Sequence, residues 1–130
     1  MSEATGTPEE SPHKGKTGLK RVWNAFFYSL DGFAAAWKHE DAFRQEALLA
    51  MLMVPLAFLL ADAALERALM IAVVLLVLIV ELINSAIEAT VDRISLENHQ
   101  LAKRAKDIGS AAVLVSLSNV LVVWGLILFG

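Results

Sequence analysis

From Ile108 to Gly130 the sequence carries no charged residue. About 20 residues of α-helix, rising about 1.5 Å each, cross the hydrocarbon core of a bilayer, so this run is long enough for a full span. Two shorter uncharged stretches precede it, Ala47 to Ala61 and Ala68 to Val80. Each reaches spanning length only if its helix continues into polar sequence, through "RQE" before Ala47 and through "ELINSAIEA" after Val80. That continuation carries Glu46, Glu81 and Glu88 toward lipid depth. No alternating strand pattern occurs, which leaves helices as the spanning structure.

The expected fold is therefore an all-α integral membrane protein of one domain, 130 residues long and 57% hydrophobic. Three transmembrane helices, at about 43–61, 66–90 and 107–129, follow an N-terminal surface helix at about 19–40 and a disordered tail over 1–18. The tail is rich in Ser, Thr, Pro, Gly and charge, and it lacks the apolar region of a secretory signal. Its "GKT" at Gly15 to Thr17 is no phosphate loop, because Glu10 stands where that motif requires glycine and no apolar strand precedes it. Cysteine is absent, which excludes disulfides and thiol chemistry. A net charge of −3 advertises no nucleic-acid partner.

The short loops set the orientation. "DAALER" holds one basic residue, whereas the stretch from Asp92 to Asp107 holds Arg93, Lys103, Arg104 and Lys106. By the positive-inside rule the N-terminus and this second loop are cytoplasmic and the C-terminus is outside. In the surface helix, Val22, Trp23, Phe26, Phe27, Leu30, Phe33, Ala34 and Trp37 recur at three- and four-residue intervals, with Arg21, Asn24, Asp31 and Lys38 on the other side. This amphipathic face suits the membrane interface, and it also suits packing on the protein's own spans.

The stretch "ELINSAIEATVD" ends the middle run with carboxylates. At about 100° per residue, Glu81, Asn84, Ser85, Glu88 and Asp92 fall on one stripe of a helix. An isolated charge in lipid is costly, so the stripe must face a partner, a water-filled cleft or a cation. Ala86 and Ala89 beside it leave room for close helix approach. Glu81, flanked by Leu78, Ile79 and Leu82, suits a general base. Glu88 is about 10.5 Å away along the axis, too far to share one ion with Glu81 directly, and suits a divalent cation together with Glu40. One or two carboxylates completed by water or phosphate are Mg²⁺ chemistry, and His13, His39 and His99 have no zinc-ligand spacing. Lys103, Arg104 and Lys106 stand at the mouth of the third span, where Asp107, Gly109 and Ser110 read as a helix start. Lys106 can hold a phosphate, although the cluster also serves topology alone.

"ELINSAIEATVD", "HEDAFRQE" and "RAKDIGSAAV", in that order, resemble the prokaryotic diacylglycerol kinase family over the chain from Gly18 onward. The resemblance implies a homotrimer of three-span subunits in the bacterial inner membrane, with active sites shared between subunits. It implies transfer of the γ-phosphate of MgATP to the lipid diacylglycerol, giving phosphatidic acid. By position, Glu81 matches the catalytic base, with Asn84 beside it, and Glu40 and Glu88 match the metal ligands. Arg21, Tyr28, Glu97, Asn98, His99, Lys106 and Asp107, with Glu40 and Glu88, match the nucleotide site. Arg21, Ser29, Trp37, Arg44, Glu46, Glu81 and Ser110 match the lipid site. His39, Asp41, Leu30 and Asp31 depart from the familiar pattern, so lipid preference is the least constrained property. A polyprenol such as undecaprenol is the competing acceptor. Outside the enzymes, an oligomeric proton or cation channel lined by Glu81 and Glu88 accounts for the acids, and a structural subunit accounts for a polar seam.

Overall fold

The computed structural model describes residues 18–94 and 99–130. These form two compact units that divide between Ala35 and Ala36. Four helices and no strand occur among the described residues: α1 (Gly18–His39), α2 (Asp41–Leu60), α3 (Ala64–Ile94) and α4 (His99–Phe129). Of the expected tail, Gly18 opens α1 and the remainder lies outside the described residues.

In the N-terminal unit, Trp23 and Phe27 meet edge to face with ring centroids 5.1 Å apart, as a four-residue helical spacing allows. The large apolar side chains of this unit are all exposed. In the second unit, α2, α3 and α4 are each long and apolar enough to cross a membrane. Many of their large side chains face outward, Leu59 at 79% and Leu121 at 76% exposure. Such a surface fits a membrane protein.

Glu40 separates α1 from α2 with extended backbone at φ −118° and ψ 105°. The Arg44 guanidinium donates to the carbonyls of Trp37 at 2.7 Å and Lys38 at 3.2 Å and pairs with Asp41. It thereby satisfies carbonyls that the last turn of α1 leaves open. At the other end of α2, Arg67 donates to the Ala61 carbonyl at 3.0 Å and lies over the Phe58 ring, 5.6 Å from its centroid. This closes the short turn into α3.

The middle helix α3 packs against both α2 and α4. Buried Phe43, Ala50 and Ala57 recur every seven residues on α2. The small alanines admit α3 closely, which matters where apolar surface alone drives no association. On α3 the buried series Met70, Val73, Val74, Val77, Glu81, Asn84, Ser85 keeps three- and four-residue spacing and changes from apolar to polar at Glu81. Gly109, Ser116, Val120 and Trp124 are buried on α4. The Trp124 indole donates to the Met70 carbonyl at 3.1 Å, a bond that ties α4 to α3 inside the core.

Asp107 does not start a helix, contrary to the sequence reading. Helix α4 begins at His99 and passes through Asp107. Gln100, Leu101, Ala102, Lys103 and Arg104 are all good helix formers, and Lys103 pairs with Asp107 at 2.6 Å one turn on.

Candidate active site

The polar stripe lies along the last four turns of α3. Glu81 is 4% exposed, Asn84 7% and Ser85 8%, whereas Glu88 is half-buried and Asp92 exposed. Each carboxylate meets something different. Glu46 on α2 and Glu81 on α3 are neighbouring carboxylates. Glu46 Oε2 is buried with no donor. Such an oxygen needs a proton, a donor or a cation.

One turn along, Asn84 Nδ2 donates to Glu88 Oε1 at 3.3 Å, and Asn84 Oδ1 is buried without a partner. At the end of the stripe Asp92 pairs with Lys106 of α4 at 2.6 Å, so acid and base meet across two helices. Among the described residues no three His, Asp or Glu side chains gather in a ready-made metal cluster. Glu40 and Glu88 offer hard oxygen donors, and a Mg²⁺ shell that keeps water or phosphate asks for only one or two of them. These two residues fit that ion as partial ligands.

Other sequence-expected residues are placed as follows. Arg21, Tyr28 and Ser29 belong to the N-terminal unit and are exposed, with the Ser29 hydroxyl donating to the Ala25 carbonyl at 2.9 Å. Trp37 is exposed, and Arg44, expected at the lipid, has its guanidinium on the end of α1. Ser110 is exposed on α4, and Asp107 is bound to Lys103. Glu97 and Asn98 lie outside the described residues, as does the side chain of His99.

Ala86 and Ala89, expected to admit a neighbouring helix, are exposed. Within the chain a close approach of α3 and α4 occurs at Gly109, against Asn84. Sequence reading took Gly109 as part of a helix start and missed its contact with Asn84; the signal was a glycine directly followed by small and apolar residues inside a long helical run.

A family model for prokaryotic diacylglycerol kinase matches residues 27–128. The chain belongs to the prokaryotic diacylglycerol kinase family. It is 62% identical over 120 residues to the diacylglycerol kinase of Pseudomonas aeruginosa, covering 92% of this chain and 98% of that one. The Escherichia coli diacylglycerol kinase is 49% identical over 113 residues, 87% of this chain and 93% of its own. One from Helicobacter pylori is 48% identical over 116 residues, 89% and 90% of the two chains. The similarity extends over nearly the full length of each relative.

Proposed function

We infer that this chain is a diacylglycerol kinase that transfers the γ-phosphoryl group of ATP to the free hydroxyl of membrane diacylglycerol. The observation that carries the reading is Glu46 Oε2, a buried acceptor with no donor, on the helix that packs against α3 where Glu81 is buried. An alcohol O–H is such a donor. Beside Glu46, an apolar cavity of about 220 Å³ between the three long helices, lined also by Leu49, Met53, Val77 and Leu117, supports a lipid acceptor over a water-soluble one.

In this reading Glu81 accepts the proton of the lipid hydroxyl as its oxygen bonds to the γ-phosphorus. The bond from that phosphorus to the β–γ bridging oxygen breaks, and ADP and phosphatidic acid leave. Glu46 orients the hydroxyl toward Glu81. Mg²⁺ held by Glu40 and Glu88 would supply positive charge to the phosphate oxygens. Asn84 steadies Glu88 through its amide, and Lys106 adds a point charge at the same end. Little else is required of the protein, since phosphoryl transfer is mainly positioning and electrostatics.

The basic residues Arg93, Lys103, Arg104 and Lys106 at this end of α3 and α4 support a cytoplasmic position for it, with the C-terminus outside. The aromatic side of α1 rests in the interface of a bacterial inner membrane. The outward-facing apolar surfaces of α2 and α4 are compatible with a homotrimer in which neighbouring subunits complete the nucleotide site, with residues 97–99 among the contributors.

The test is phosphate transfer from labelled ATP in mixed micelles with Mg²⁺, offering diacylglycerol and undecaprenol separately. Transfer to diacylglycerol is expected; a large excess on undecaprenol would reassign the acceptor, and no transfer to either from folded protein would remove the kinase reading.

A further inference from the structure

The fit between Gly109 of α4 and Asn84 of α3 sets it apart from the other helical glycines. A Cβ built on Gly109 overlaps Asn84 Oδ1 and lies 3.2 Å from Asn84 Cγ and 3.9 Å from its Cβ. Around Gly18, Gly32 and Gly125 a Cβ would meet nothing within 4 Å. Asn84 has little room to retreat, because it is buried, sits on a helix that restricts its rotamers, and has its Nδ2 committed to Glu88 Oε1.

We propose that Gly109 is a positioning residue of the phosphoryl-transfer site: its missing side chain gives Asn84 its seat against α4, and Asn84 in that seat holds Glu88. A methyl at this position must either push α4 from α3 or turn the Asn84 side chain, and both movements take its amide from the Glu88 carboxylate. The proposal rests on the reading of Glu88 as a ligand of the MgATP site, and the experiment separates the two.

Local preference and the seat predict opposite signs. An alanine in a helix interior is ordinarily more favourable than a glycine, so by propensity alone Gly109→Ala stabilises α4. The seat requires that it destabilise, and only while Asn84 is present. The full-length protein is melted in detergent micelles as wild type, Gly109→Ala, Asn84→Ala and the double variant, which makes a double-mutant cycle. Gly109→Ala is expected to lower the midpoint in the wild-type background and to leave it unchanged or raise it in the Asn84→Ala background. An equal loss in both backgrounds, or a gain in the wild-type background, overturns the proposal. Should Gly109→Ala fail to fold, recovery of folded protein in the double variant supports the seat, and no recovery overturns it.

The kinetic arm follows the half-saturating Mg²⁺ concentration of transfer in Gly109→Ala and in Glu88→Gln. In Gly109→Ala it is expected to rise about tenfold, as loss of a ligand-orienting hydrogen bond does, with half-saturating diacylglycerol unchanged. A shift in Glu88→Gln with none in Gly109→Ala overturns the proposal. No shift in Glu88→Gln instead removes the ligand reading of Glu88, and the melting cycle then decides alone whether Gly109 seats Asn84.

Discussion

One face of α3 has two halves. From Met70 to Val77 it is apolar and closed, packed on alanines of α2 and on Val120 and Trp124 of α4, with its indole donor satisfied. From Glu81 to Asp92 the same face, at the same helical spacing, is polar and unfinished. Glu46 Oε2, Asn84 Oδ1 and Ser85 Oγ are buried there with no partner; among the described residues the other such atom, Arg67 Nε, lies at the α2–α3 turn. Unpaired buried polar groups cost stability, so a helix that has already solved its packing for two turns and then leaves groups open has another use for them. The first half holds the helices together, and in the proposed reading the second presents oxygen atoms to a ligand.

If that division is right, substitutions in the two halves should fail in different ways. The largest effect is expected from Glu81→Gln, which keeps the shape and removes the base: transfer should fall by about a hundredfold or more, with oligomeric state on a sizing column unchanged. Loss of the oligomer together with activity would instead make Glu81 a packing residue. Asn84→Ala comes next, raising half-saturating Mg²⁺ about tenfold in an initial-rate titration while the lipid dependence stays put. In the closed half, Trp124→Phe removes the bond to the Met70 carbonyl and should cost about 1 kcal/mol in chemical denaturation, with kcat unaltered. A fall in kcat there would break the division. The smallest effect is expected from Asp92→Asn. Its pair with Lys106 is exposed and screened by solvent, so the KM for MgATP should change only about twofold, and less at high salt.

The spans and the acidic stripe were legible in the sequence because both follow from period and charge along a single helix: Glu81, Asn84, Ser85 and Glu88 share a face whatever surrounds them. Partners across helices were not. That Glu46 neighbours Glu81, and that Asp92 reaches Lys106, depends on how α2 and α4 lean on α3, which no local pattern records. Arg44 was matched to the lipid site by resemblance, and its capping of the carbonyl end of α1 was not foreseen. The Asp107 boundary was misread because an acidic residue followed by glycine is also what an interior i, i+4 pair and a close helix contact look like from one dimension.

The indole that bridges α4 to α3 also has an optical consequence. Of the three tryptophans, Trp23 and Trp37 are exposed and Trp124 is 9% exposed. With Trp23 and Trp37 replaced by phenylalanine, the protein would carry a single emitter, hydrogen-bonded to a backbone carbonyl 54 residues earlier in the chain. Its emission wavelength and its access to a quencher would then report the separation of those two helices during turnover, without any label being attached.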